Sequence, residues 1–137
     1  MSLMIFNRGL INLGLSNQLM QGTYSLKSFD IFELSKKLVL ACYALTGTLP
    51  SEEKTALTQY IRHAALSAHI SIAQGAFLKK KKARKKFLQD AKNALLIIDA
   101  AVDVLVEAGL VKAEETNEVQ QLSSTCYQLL GRLKKEN

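Results

Sequence analysis

Turns are scarce in this chain. Seven glycines and one proline punctuate 137 residues, too few breaks for a many-stranded β fold and consistent with a few long helices. The length is that of one domain able to bury a real core. Four successive segments carry apolar residues at three- and four-residue intervals, the helical period. The fold expected is all-α, an antiparallel up-down-up-down four-helix bundle. Residues 28–137 make up the bundle domain and residues 1–27 an N-terminal arm. The apolar part of that arm, residues 1–15, is broken by Asn7, Arg8 and Asn12 and lacks a basic leader. It therefore does not read as a signal peptide, and no run reaches the ~18 residues of a membrane span.

The first helix is expected over about 30–46, with Ile31, Leu34, Leu38, Ala41, Cys42 and Leu45 on one stripe. Asp30 suits its N-terminus and Gly47 a left-handed stop. Ser51 is the expected N-cap of the second helix, with Glu52 and Glu53 in its first turn. Its stripe is Leu57, Ile61, Ala65, Ala68 and Ile72, and its many Ala and Ser residues would let a neighbour approach closely. Gly75 marks its end. In the third helix Phe87, Ala91, Ala94, Leu95, Ile98, Val102 and Leu105 form a stripe. Yet Leu88, Leu96, Ile97, Ala100, Ala101, Val104 and Val106 lie off it, and the only charges over 94–108 are Asp99, Asp103 and Glu107, on one narrow line. A helix apolar nearly all round must be buried nearly all round, so part of it is expected to be covered by another subunit. Gly109 ends this helix, with Leu110 placed for the hydrophobic contact of a Gly-capped terminus. The fourth helix is expected over 113–135, with Val119, Leu122, Cys126, Leu129, Leu130 and Leu133 inward. Glu114 and Glu115 at its start, and Lys134 and Lys135 at its end, complement the dipole.

The charge is concentrated in one place. Residues 79–86 are basic at seven of eight positions: Lys79, Lys80, Lys81, Lys82, Arg84, Lys85 and Lys86. The whole chain has 18 Lys and Arg against 12 Asp and Glu; with these seven set aside, 11 basic residues face 12 acidic ones. Seven like charges repel one another and weaken the helix they open, a cost that an anionic partner would relieve. RNA or DNA is the commonest such partner. Only Phe77 and Phe87 flank the run, so phosphate contact is expected rather than base stacking.

No enzyme is expected. His63 and His69 are six apart on a helix and cannot share a metal as an i, i+4 pair would. His63 and Ser67 are at that spacing, but no orienting carboxylate or nucleophile-elbow glycines accompany them. Asp99, Asp103 and Glu107 lack the Glu-x-x-His partners of a carboxylate-bridged metal site. There is no phosphate-cradling glycine loop. Catalytic residues, metal ligands and cofactors are all expected to be absent. Cys42 and Cys126 have no nearby Cys or His partner and read as reduced core residues of a cytoplasmic chain.

Residues 53–75, EKTALTQYIRHAALSAHISIAQG, resemble the signature of the 23S rRNA intervening-sequence proteins, small bacterial four-helix bundles. That pattern runs Glu-Lys, a Leu three on, Ile-Arg-Arg-Ala-Ala, a Ser, then Asn-Ile-Ala-Glu-Gly. Glu53, Lys54, Leu57, Ile61, Arg62, Ala64, Ala65, Ser67, Ile72, Ala73 and Gly75 fall in place without a gap, while His63, Ser71 and Gln74 depart from it. Upstream, Tyr43, Leu45, Thr46, Leu49 and Pro50 are similar to the end of that family's first helix and its Pro-marked link. The family is also similar to the accessory variability proteins of diversity-generating retroelements, pentameric barrels that bind a reverse transcriptase and RNA. The resemblance implies a homopentamer and a nucleic-acid role, with no catalytic residues. The expectation is thus a ring-shaped oligomer binding RNA or another nucleic acid through residues 79–86, with Arg62 as a helper. The alternative is an accessory protein for a reverse transcriptase and its template RNA.

Overall fold

The computed structural model describes residues 26–51 and 56–135, with side chains over 28–51 and 56–133. Among these there are four α-helices and no strand: α1 (Leu26–Gly47), α2 (Leu57–Gly75), α3 (Lys81–Glu107) and α4 (Asn117–Lys135), the last entered through a 3₁₀ turn, Ala113–Thr116. Each helix packs on two others: α1 on α2 and α4, and α3 on α2 and α4, with α2 and α3 the most extensively joined. The result is a four-helix bundle. Leu38 and Cys42 of α1, Ile61, Ala65, Ala68 and Ile72 of α2, Leu95, Ile98, Val102 and Leu105 of α3, and Cys126, Leu130 and Leu133 of α4 are buried in one core. Nearly all of them sit at the spacings of the four stripes. No helix among the described residues is long and apolar enough to cross a membrane.

The helix ends depart from expectation. Most of the N-terminal arm lies outside the described residues, but α1 opens at Leu26, so Asp30 is inside the helix rather than at its cap. Gly47 is not left-handed; the one positive φ among the described residues is that of Gly109. Hydroxyls compete for the last carbonyls of α1 instead. Thr46 Oγ1 donates to Cys42 O at 2.7 Å and Thr48 Oγ1 to Leu45 O at 2.7 Å. Helix α2 begins at Leu57 with Ala56, not Ser51, at its N-cap; Glu52 and Glu53 lie outside the described residues. Gly109, with φ of 73°, closes α3 as anticipated. Its N–H donates to Val106 O and that of Leu110 to Leu105 O, both at 3.0 Å, the paired bonds of a Schellman end.

Gly75 is needed for close approach. A Cβ there would lie 2.6 Å from Phe87 Cβ and 3.5 Å from Arg84 O, so α2 and α3 meet where only hydrogen fits. Gly75→Ala is expected to cost about 1–3 kcal/mol in urea unfolding through overpacking, although alanine is the better helix former. Gly47, whose added Cβ would meet nothing within 4 Å, supplies the control: Gly47→Ala should be neutral or stabilising.

Candidate nucleic-acid interface

Lys79 and Lys80 occupy the turn after α2, and Lys81 opens α3. The turn is anchored from beneath. Phe77 is buried, its ring 6.3 Å from that of Phe29 and 5.9 Å from that of Phe32. Ser28 Oγ donates to Ala76 O at 2.8 Å. Lys80 is the N-cap residue, extended at φ −68° and ψ 115°, and no side chain caps the helix. The first turn of α3 contains no acidic residue. The positive end of the helix dipole thus coincides with the densest positive charge in the chain, the reverse of what stability favours. The entry to α4 shows the ordinary arrangement, with Glu114 and Glu115 in the 3₁₀ turn and Glu115 Oε1 accepting from the Lys112 N–H at 2.8 Å.

Lys79, Lys80, Lys81, Lys82, Lys85 and Lys86 are all exposed. Arg84 is half-buried, and its Nη2 donates to Leu133 O in the last turn of α4 at 3.4 Å. It ties two helix ends together rather than standing with the lysines. Arg62 is elsewhere. It precedes Gly75 by thirteen residues, about 20 Å of helix at 1.5 Å per residue. Its Nε donates to Thr46 Oγ1 at 2.8 Å and its Nη2 to Tyr43 O at 3.4 Å, with the guanidinium 4.4 Å from the Tyr43 ring centre. Positive charge there complements the carbonyl end of α1. The structure therefore brings six lysines together and leaves both arginines out of the cluster.

Beyond the lysines, the outward face of α3 changes character. Lys82, Lys86, Gln89 and Asn93 are followed along it by Leu96, Ile97, Ala100 and Val104, all exposed. Leu96 is 51 %, Ile97 44 % and Val104 50 % accessible. Of the residues placed off the stripe, Leu88 proves fully buried, because it packs toward Gly75. Leu66 and Ile70 of α2 are also exposed; they share the 3.6-residue period on the outer side of that helix, a signal the sequence carried but the inward stripe obscured. Asp99, Asp103 and Glu107 are exposed, and Asp99 Oδ1 accepts from Ser123 Oγ at 3.0 Å. Among the described residues no three His, Cys, Asp or Glu side chains are grouped to hold a metal.

The hydroxyl that meets an imidazole is Ser35, not Ser67. Ser35 Oγ lies 2.6 Å from His69 Nδ1, and the Phe32 ring packs 4.9 Å from the imidazole. Burial first, and the Lys36 charge second, push the His69 pKa down from 6.5 to about 4. A base whose folded pKa is depressed binds its proton more readily when unfolded. Stability contributed by neutral His69 is complete above pH 6.5 and is lost as pH falls toward 4. Urea unfolding at pH 7 and pH 4.5 should show this loss, and His69→Gln should flatten it. Cys42 and Cys126 are free and buried, and burial pushes both thiols up to about 12, with Asp99 adding to the shift at Cys42. They are inert core groups.

The family model described as 23S rRNA-intervening sequence protein matches residues 27–132 of the chain. No curated protein matches it.

Proposed function

The chain belongs to the 23S rRNA-intervening sequence protein family, and from that premise we propose that it is a non-enzymatic RNA-binding protein acting as a ring-shaped oligomer. The lysines at 79–82, 85 and 86 are its contact surface. One observation carries this reading: six exposed lysines crowd the positive end of α3, whose first turn contains no acidic residue and whose N-cap makes no side-chain bond. Such an end is costly alone and favourable against phosphate. Phe77 is buried and Phe87 half-buried, so recognition is of the backbone, with weak sequence preference.

An up-down-up-down course is supported by contacts that join helix starts to helix ends: Ser28 to Ala76, Arg62 to Thr46, Gly75 to Phe87 and Arg84 to Leu133. The ring is supported by two apolar surfaces. Leu66, Ile70, Leu96, Ile97 and Val104 lie on the outer sides of α2 and α3. A groove of about 470 Å³ between α1 and α4 is lined by Leu34, Leu40, Ala41 and Leu122, among others. In the cyclic order of the bundle these are opposite sides. A ridge on one side and a groove on the other favour head-to-tail pairing, which closes into a ring rather than a two-fold dimer; five subunits is the number the family resemblance implies. Buried unpaired thiols suit a reducing compartment, so the proposed location is the cytoplasm. RNA affinity measured across a salt series, with the six lysines replaced by glutamine, tests the reading. A flat salt response, or a variant that binds as well as the parent, overturns it.

A further inference from the structure

We propose that the far end of α2 holds a second, separate site for a phosphate monoester carrying a flat aromatic group, the nucleoside monophosphate class. The inference stands on residues other than the lysines and does not depend on them. A cleft of about 790 Å³ lies there, lined by Gly47 of α1 and by Thr58, Gln59, Tyr60, Arg62 and His63 of α2. A volume of that order suits a small organic ligand rather than a bare ion.

Arg62 is the anchor. A guanidinium has five N–H donors in a fixed fork. Here one on Nε goes to Thr46 and one on Nη2 to Tyr43 O, and the plane rests on the Tyr43 ring. Three donors remain, and among the described residues no carboxylate is paired with this guanidinium. The group is thus oriented in advance, charged, and matched to two oxygens of a phosphate. A second observation points the same way. Thr58 is 4 % exposed, and its Oγ1 is buried with no hydrogen-bond partner. Thr58 lines the same cleft as Arg62, one helical turn before it, and a buried hydroxyl without a partner calls for an acceptor that the described residues do not supply. Thr58 and Gln59 also belong to the first turn of α2, the positive end of its dipole. His63 adds an exposed imidazole. Gly47 leaves the α1 wall open, since a Cβ there would meet nothing within 4 Å. Tyr60, 68 % exposed, supplies an aromatic face on which a base can stack.

The test is a ¹H–¹⁵N titration of the full chain with adenosine 5′-monophosphate, adenosine and inorganic phosphate. The nucleotide should bind at least tenfold tighter than either fragment, with shifts centred on residues 58–63. Arg62→Lys keeps the charge but loses the fork and should weaken nucleotide binding about tenfold. Tyr60→Ala, at an exposed position that the fold does not need, should bring the nucleotide down to the affinity of phosphate and leave phosphate unchanged. Glutamine at 79–82, 85 and 86 should alter nucleotide affinity by less than twofold, which separates this site from the lysine surface. The proposal is overturned if the shifts fall on residues 79–86, if the nucleotide binds no better than phosphate, or if Tyr60→Ala leaves its affinity intact.

Discussion

Replacing Lys79, Lys80, Lys81, Lys82, Lys85 and Lys86 with glutamine is expected to abolish the salt dependence of RNA binding and most of its affinity. If each exposed lysine neutralises one phosphate of a single strand, log Kd against log salt has a slope of about 4, and affinity falls several-hundredfold between 50 and 200 mM salt. Filter binding or fluorescence anisotropy measures both quantities. The variant should fold at least as well as the parent, because it removes like-charge repulsion from the first turns of α3 and touches no buried group. Circular dichroism checks that point. Arg84 is deliberately left in place. Its bond to Leu133 O links α3 to α4, so its removal would mix a folding defect into a binding measurement. A ring multiplies the surface, and several weak contacts on one RNA become avid if the strand spans them; disrupting assembly should therefore weaken long RNA more than short.

Assembly is the second large effect. If the chain assembles as proposed, Ile97→Asp with Val104→Asp is expected to leave a monomer of 15.1 kDa by light scattering. Both side chains are about half exposed in the single bundle, so charge there costs the isolated fold little. Placed in an apolar interface, each unpaired carboxylate costs several kcal/mol or forces the interface apart. Unchanged helicity with reduced mass identifies the effect as one of association. A parent chain that is already monomeric at micromolar concentration would refute the assembly, and the exposed residues on α2 and α3 would need another occupant.

The bundle was legible in the sequence because burial in a helix leaves a periodic trace. Ile61, Ala65, Ala68 and Ile72, or Ile98, Val102 and Leu105, can face only one way on their helices, and the core lies where they face. Helix ends were less legible, since capping depends on which neighbour is present. Gly47 has the composition of a left-handed stop but is right-handed, because Thr46 and Thr48 answer the carbonyls instead. Gly75 marks a helix end, yet the reason for glycine is Phe87 on another helix, a cause invisible from α2 alone. At the candidate site, the lysine run was plain from charge, whereas the fate of its members was not. Arg84 turns inward because it sits on the buried side of α3, one turn before Leu88. Arg62 belongs to the end of α1, a partnership over sixteen residues that no local pattern announces. The contact between Ser35 and His69 was missed for the same reason: the two residues are 34 apart and meet only after α1 packs on α2.

The outward face of α3 has one more consequence, which concerns phase. Lys82 and Ile97 are fifteen residues apart, about 22 Å along a rigid helix, and they face outward together because of the helical repeat between them. One residue inserted near Gln89 would turn the lysines by about 100° relative to the apolar ridge. Seven inserted residues would return them to within about 20°. Helix length is thereby part of the surface itself. In a ring built on that ridge, every subunit would present its lysines at the same height and angle, in a pattern set by counting residues as much as by choosing them.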